Sequence, residues 1–180
     1  PNKVYNDIVD FITSSYKCAL KGNKYYTDIK EENIGYKLCK DGPVFTFLDF
    51  GSFFDTDKTN IVSTYNINKD AFNKGLISND LIVVFGTIIT LLGLKLLMKS
   101  KRCNEKFKSF TSELSYNNNY YSSSPCLLDN KVASDIITYY DLNKADEDPF
   151  TETLLDILFN LTSRQIFVSD FIEMLEFSGK

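Results

Sequence analysis

Between Leu81 and Met98 the chain carries one charge, Lys95, and is otherwise apolar apart from two threonines and two glycines. A stretch of that kind has roughly the 18–20 residues that a membrane-spanning helix needs, and Lys99, Lys101 and Arg102 follow it. The segments around it are amphipathic instead. Val4, Ile8, Val9, Phe11, Ile12, Tyr16, Ala19 and Leu20 recur at helical spacing, and Gly22 follows as a stop signal. Leu128, Val132, Ile136, Ile137 and Tyr140 repeat the pattern, as do "FTETLLDILFNLTSR" and "QIFVSDFIEMLEF", with a break near Ser163. Phe107, Phe110 and Leu114 extend a further stripe beyond Arg102. Asn23 to Asp28 reads as a polar loop and Ile29 to Lys40 as a short helix, with Asp41-Gly42-Pro43 as a breaker. The polar stretches "DTDKTNIVSTYNINKD" and Ser115–Pro125 read as loose chain and loop.

A helix apolar all round belongs either in lipid or at the centre of a bundle. The amphipathic stripes need a common surface to cover, and Lys95 is costly at depth in a bilayer. The expectation is therefore an all-α single domain over residues 1–180, with seven or eight helices around a buried central helix at 81–98. Ser78 or Asn79 is the expected N-cap of that helix, with Asp80 in its first turn.

Composition narrows the function. Net charge is −4, which disfavours a polyanion such as nucleic acid as the main partner. Cys18, Cys39, Cys103 and Cys126 are widely spaced and there is no histidine, so the thiols are expected to be free in a reducing compartment, with no metal and no cofactor. The N-terminus shows no signal-peptide pattern. No Gly-rich phosphate loop and no nucleophile with an evident base is present, so an enzyme is not expected. Asp141, Asn143, Asp146, Glu147 and Asp148 lack the register and the central glycine of a calcium loop and read as a solvated acidic turn.

A set of segments, in order along nearly the whole chain, resembles the Bcl (B-cell lymphoma 2) family of apoptosis regulators. "FNKGLISNDLIVVF", Phe72 to Phe85, is similar to that family's first homology motif, with Phe72, Gly75, Leu81-Ile82-Val83 and Phe85 in place. Ile77-Ser78-Asn79-Asp80 stands where Asn-Trp-Gly-Arg is usual. "IVDFITSSYKCALKGNKYY" resembles the N-terminal homology helix. "TFLDFGSFF" resembles the death-motif helix through Phe47, Gly51 and Phe54, with Ser52 replacing the usual Asp. "LDNKVASDIITYYDLN" and "DFIEMLEFSG" resemble the later helices, without the usual Gly-Trp. These departures mark a divergent member, viral or parasitic; the 18 Lys against 2 Arg fit an AT-rich genome.

The resemblance implies an anti-apoptotic protein that binds amphipathic pro-death helices (BH-three motif proteins, Bax/Bak-like) in an apolar groove. Its implied floor is Phe47, Leu48, Gly51, Phe54, Phe72, Asn79, Asp80, Leu81, Val84 and Phe85. Asp80 has two readings: a helix cap, or a carboxylate where the family's Arg meets an Asp of the ligand. The implied setting is the cytoplasm, or the mitochondrial outer membrane or another intracellular membrane if a hydrophobic anchor follows Lys180. Two alternatives stay open: a pro-death pore-forming member of the same fold, and a viral adaptor-binding protein that inhibits inflammatory signalling without an open groove.

Overall fold

Every residue from Leu81 to Gly93 is buried, and this run forms the middle of the longest helix in a computed structural model of the chain. The structure describes residues 2–55, 63–65, 67–114, 126–146, 148–162 and 166–178. The expected loop at 115–125, the first part of the polar stretch after Asp55, the break near Ser163 and Glu147 of the acidic turn lie outside them.

Helix α1 (Asn2–Lys21) turns at Gly22 and Asn23, the latter in the left-handed region at φ 54°. Strand β1 (Lys24–Tyr26) follows, then β2 (Ile34–Cys39), β3 (Gly42–Phe47) and β4 (Phe53–Asp55). The remaining helices are α2 (Lys69–Asn73), α3 (Asn79–Lys99), α4 (Lys101–Leu114), α5 (Asn130–Asn143), α6 (Pro149–Asn160) and α7 (Val168–Ser178). Helices α1, α4, α6 and α7 all pack on α3, so their apolar stripes share one core. The hydrophobic term, about 25 cal/mol per Å² removed from water, is what makes the least polar segment the centre. Asn79–Lys99 is the one described helix long and apolar enough to cross a membrane, and 78% of its most apolar window is buried inside the fold.

The polar atoms of α3 are satisfied locally. Thr87 Oγ1 donates to Val83 O at 2.9 Å and shares a bond with the Tyr16 hydroxyl at 3.0 Å; Thr90 Oγ1 reaches Gly86 O at 2.8 Å and Ile29 O at 3.1 Å. The segment before β2 can come this close because Gly86 has no side chain: a Cβ there would stand 3.1 Å from Ile29 Cγ2. Lys95 lies at the edge of the core, 3.3 Å from Asp148 Oδ2 and 4.3 Å above the Tyr5 ring. Asp148 also caps α6 through Thr151 N (3.0 Å) and Thr151 Oγ1 (2.7 Å), with Pro149 in the first turn. Part of the acidic turn is thus a helix start.

The expectation of an all-α fold is overturned. Two antiparallel two-stranded sheets, β1 with β4 and β2 with β3, stand between α1 and α2. Residues 34–39, read as helix, are strand, and so are 24–26, read as polar loop. The segment that resembles the death-motif helix is strand, 3-10 turn (Phe50–Ser52) and strand. The reason is a period of two. Ile34, Tyr36 and Leu38 alternate with Gly35, Lys37 and Cys39 across a register that sets them opposite Phe47, Phe45 and Pro43. Lys40-Asp41 forms a two-residue turn closed by Gly42 at φ +119°, a conformation that glycine adopts freely.

Candidate functional site

The alternation in β2 and β3 gives the hairpin one apolar face, and that face looks onto two helices. Val4 and Ile8 of α1, Leu94, Leu97 and Met98 of α3, and Ile34, Tyr36, Leu38, Pro43 and Phe45 of the hairpin line one groove of about 600 Å³. Phe11 anchors the hairpin, with ring centroids 5.9 Å from Phe45 and 4.9 Å from Phe47, and Phe47 stacks on Tyr26 at 4.1 Å. Toward the tip the packing stops. Leu38 is 75% exposed and Tyr36 69%, although both point to the apolar side; Leu97 and Met98 across the gap are exposed as well.

The polar groups of the groove are few: Lys3, Asp7 and Glu31. Glu31 is held by Lys108 of α4 at 2.6 Å and by Asn104 Nδ2 at 2.7 Å, and Lys108 reaches Glu32 at 2.6 Å. The network moors the base of the hairpin to α4. Partial burial raises the pKa of Glu32, but hydrogen bonds and charge from Lys108 outweigh it and hold the carboxyl below its ordinary value. Burial pushes the phenol of Tyr5 well above its usual range, so it stays protonated.

The residues implied by the resemblance fall elsewhere. Phe47 is buried in the aromatic stack and lines a second cavity of about 330 Å³ with Tyr16, Cys18, Tyr26 and Phe53. Leu48 is exposed and lies over Gly35, where a Cβ would come within 2.6 Å of its side chain. Gly51 sits in the 3-10 turn, its amide donating to Asp49 Oδ1 at 3.0 Å. Phe54 is half-buried in β4 opposite Tyr25. Phe72 is buried in α2, and Leu81, Val84 and Phe85 are inside the core. Asn79 and Asp80 form the first turn of α3 after Ser78, which occupies the cap position without a side-chain bond. Asp80 is half-buried and accepts a hydrogen bond from the Tyr25 hydroxyl. Burial raises its pKa, and the bond from Tyr25 opposes the rise. The structure brings Leu81, Val84 and Phe85 together in the core, and none of the ten lines the large groove.

The groove residues had a signal: apolar side chains at every second position on either side of Asp41-Gly42. The resemblance of "TFLDFGSFF" to a death-motif helix pointed to a helix there instead. Among the described residues no cluster of His, Cys, Asp or Glu could hold a metal ion. Comparison with protein-family models, with curated proteins and with solved structures found no match.

Proposed function

We propose that this chain is an interaction module that seats an amphipathic segment of a partner protein in the groove between α1, the end of α3 and the β2–β3 hairpin. The observation that carries the reading is the pair of apolar walls facing each other across about 600 Å³, with Tyr36 and Leu38 left exposed on one and Leu97 and Met98 on the other. An amphipathic helix would cover those side chains with its apolar face, using anchors at i, i+3 or i+4, and i+7. Pro-death helices are the partners to test first, because the buried apolar central helix and the likeness of Phe72 to Phe85 to that family's first homology motif support a pro-survival, Bcl-like role. The floor proposed here is the hairpin face with Leu97 and Met98, in place of the carried-over set from Phe47 to Phe85. Titration of the protein with fluorescent peptides from such helices tests the proposal. Saturable binding that Leu38→Ala weakens is expected; no binding by any amphipathic helix would end it.

A further inference from the structure

We infer that the partner segment is acidic: an amphipathic helix whose polar face carries carboxylates. The inference rests on the groove reading above and deepens it. Lys3 lines the groove, Lys37 and Lys40 lie in the hairpin, and Lys99, Lys101 and Arg102 follow directly on the groove residues Leu97 and Met98. All six side chains are exposed. Among the described residues Lys3, Lys37, Lys40 and Arg102 are in no ion pair. Lys101 meets only the exposed Glu105 at 3.6 Å, and Lys99 donates to the backbone carbonyls of Asn143 and Lys144. The carboxylates of the same region are Asp7, Glu31, Glu32, Asp41 and Glu105, and Lys108 already binds both Glu31 and Glu32 at 2.6 Å. With Lys108 counted, cations outnumber carboxylates here by two, in a chain whose net charge is −4. The sign of this end is opposite to that of the whole.

Such an arrangement selects a partner by charge. The apolar walls supply area that any amphipathic helix covers, whereas a cationic rim favours carboxylates flanking the apolar face and repels lysines there. Rim charges act chiefly on the rate of association and are screened by salt, because the Debye length falls from about 10 Å at 0.1 M to about 3 Å at 1 M. Lys37 belongs to the strand face away from the groove and Lys40 to the turn, so both set the field at the mouth without forming its walls.

The test uses three synthetic helices with one apolar face in common and a polar face of Glu, Gln or Lys, titrated against the chain and against Lys37→Glu/Lys40→Glu. Dichroism first confirms that the double variant is folded. At about 0.05 M salt the Glu peptide should bind roughly tenfold tighter than the Gln peptide, with the Lys peptide weakest; near 1 M salt the three should converge. The double variant should lose affinity for the Glu peptide and gain it for the Lys peptide. Equal binding of all three at low salt would overturn the charge inference while leaving the groove reading intact. Binding of none would remove the groove reading itself. Anionic phosphatidylserine vesicles that displace the Glu peptide would also overturn the inference, since the cationic end would then be reading a lipid surface.

Discussion

Leu38→Ala separates a groove from a mere surface. With Leu38 75% exposed, folding has removed only about a quarter of it from water. Full burial of a leucine side chain is worth roughly 1.5–3 kcal/mol, so truncation should cost the fold about 0.5 kcal/mol. A partner lying in the groove would cover the remaining three quarters, and the affinity loss should be roughly 1–2 kcal/mol, about 5- to 30-fold in Kd. Val44→Ala is the matched control. Val44 is 57% exposed on the neighbouring strand, but it pairs with Lys37 on the opposite face of the same hairpin and does not line the groove. Fluorescence anisotropy with a labelled amphipathic helix reads affinity, and thermal dichroism reads Tm. The expected pattern is a large affinity loss for Leu38→Ala, little for Val44→Ala, and small Tm shifts for both. Equal losses from the two variants would show that the hairpin face is not what the partner touches. A Tm drop of many degrees in Leu38→Ala alone would show that its side chain is packed, and the magnitude argument would fail.

Asp80→Ala removes the acceptor of the Tyr25 hydroxyl bond at a half-buried position and should cost about 1–3 kcal/mol in urea unfolding, with no change in affinity for a groove ligand. A stabilised variant would show that the buried charge, rather than its bond, dominates there. Gly86→Val places side-chain atoms against Ile29, which already stands 3.1 Å from where a Cβ would be, and should destabilise by roughly 1–3 kcal/mol, read as a lowered Tm. An unchanged Tm would mean that the segment before β2 is free to retreat. Asp148 titrates below its ordinary 3.8: burial alone would raise it, but bonds from Thr151 and the charge of Lys95 prevail. A depressed folded-state pKa contributes stability above the unfolded value that is lost as pH falls through the folded one. Urea midpoints of Asp148→Asn should therefore fall less steeply than those of the parent below about pH 4, and parallel acid limbs would contradict the assignment.

The central helix was legible because burial there is a property of composition. No arrangement of the rest of the chain could leave Leu81 to Leu92 in water at an acceptable cost, and the amphipathic stripes of α1, α5, α6 and α7 needed a partner. The start of α3 was legible for a similar reason, since Asp80 suits a first turn wherever the helix lies. Asp148-Pro149, by contrast, read as part of an acidic turn and a break, is the start of α6. The strands were misread because β structure is a pairing, and pairing is non-local. Tyr25 and Tyr26 are strand only through their contact with Phe54 and Phe53 some 28 residues away, and neither tripeptide would hold that form alone. The hairpin's alternation was visible, yet which face meets α1 and α3, and how far it stands off, follow from Phe11 wedged against Phe45 and Phe47 and from Glu31 moored to Lys108. Those contacts join residues tens of positions apart. They leave the gap in which Leu38 and Tyr36 remain uncovered, and a gap is a relation between surfaces that no local run of side chains encodes.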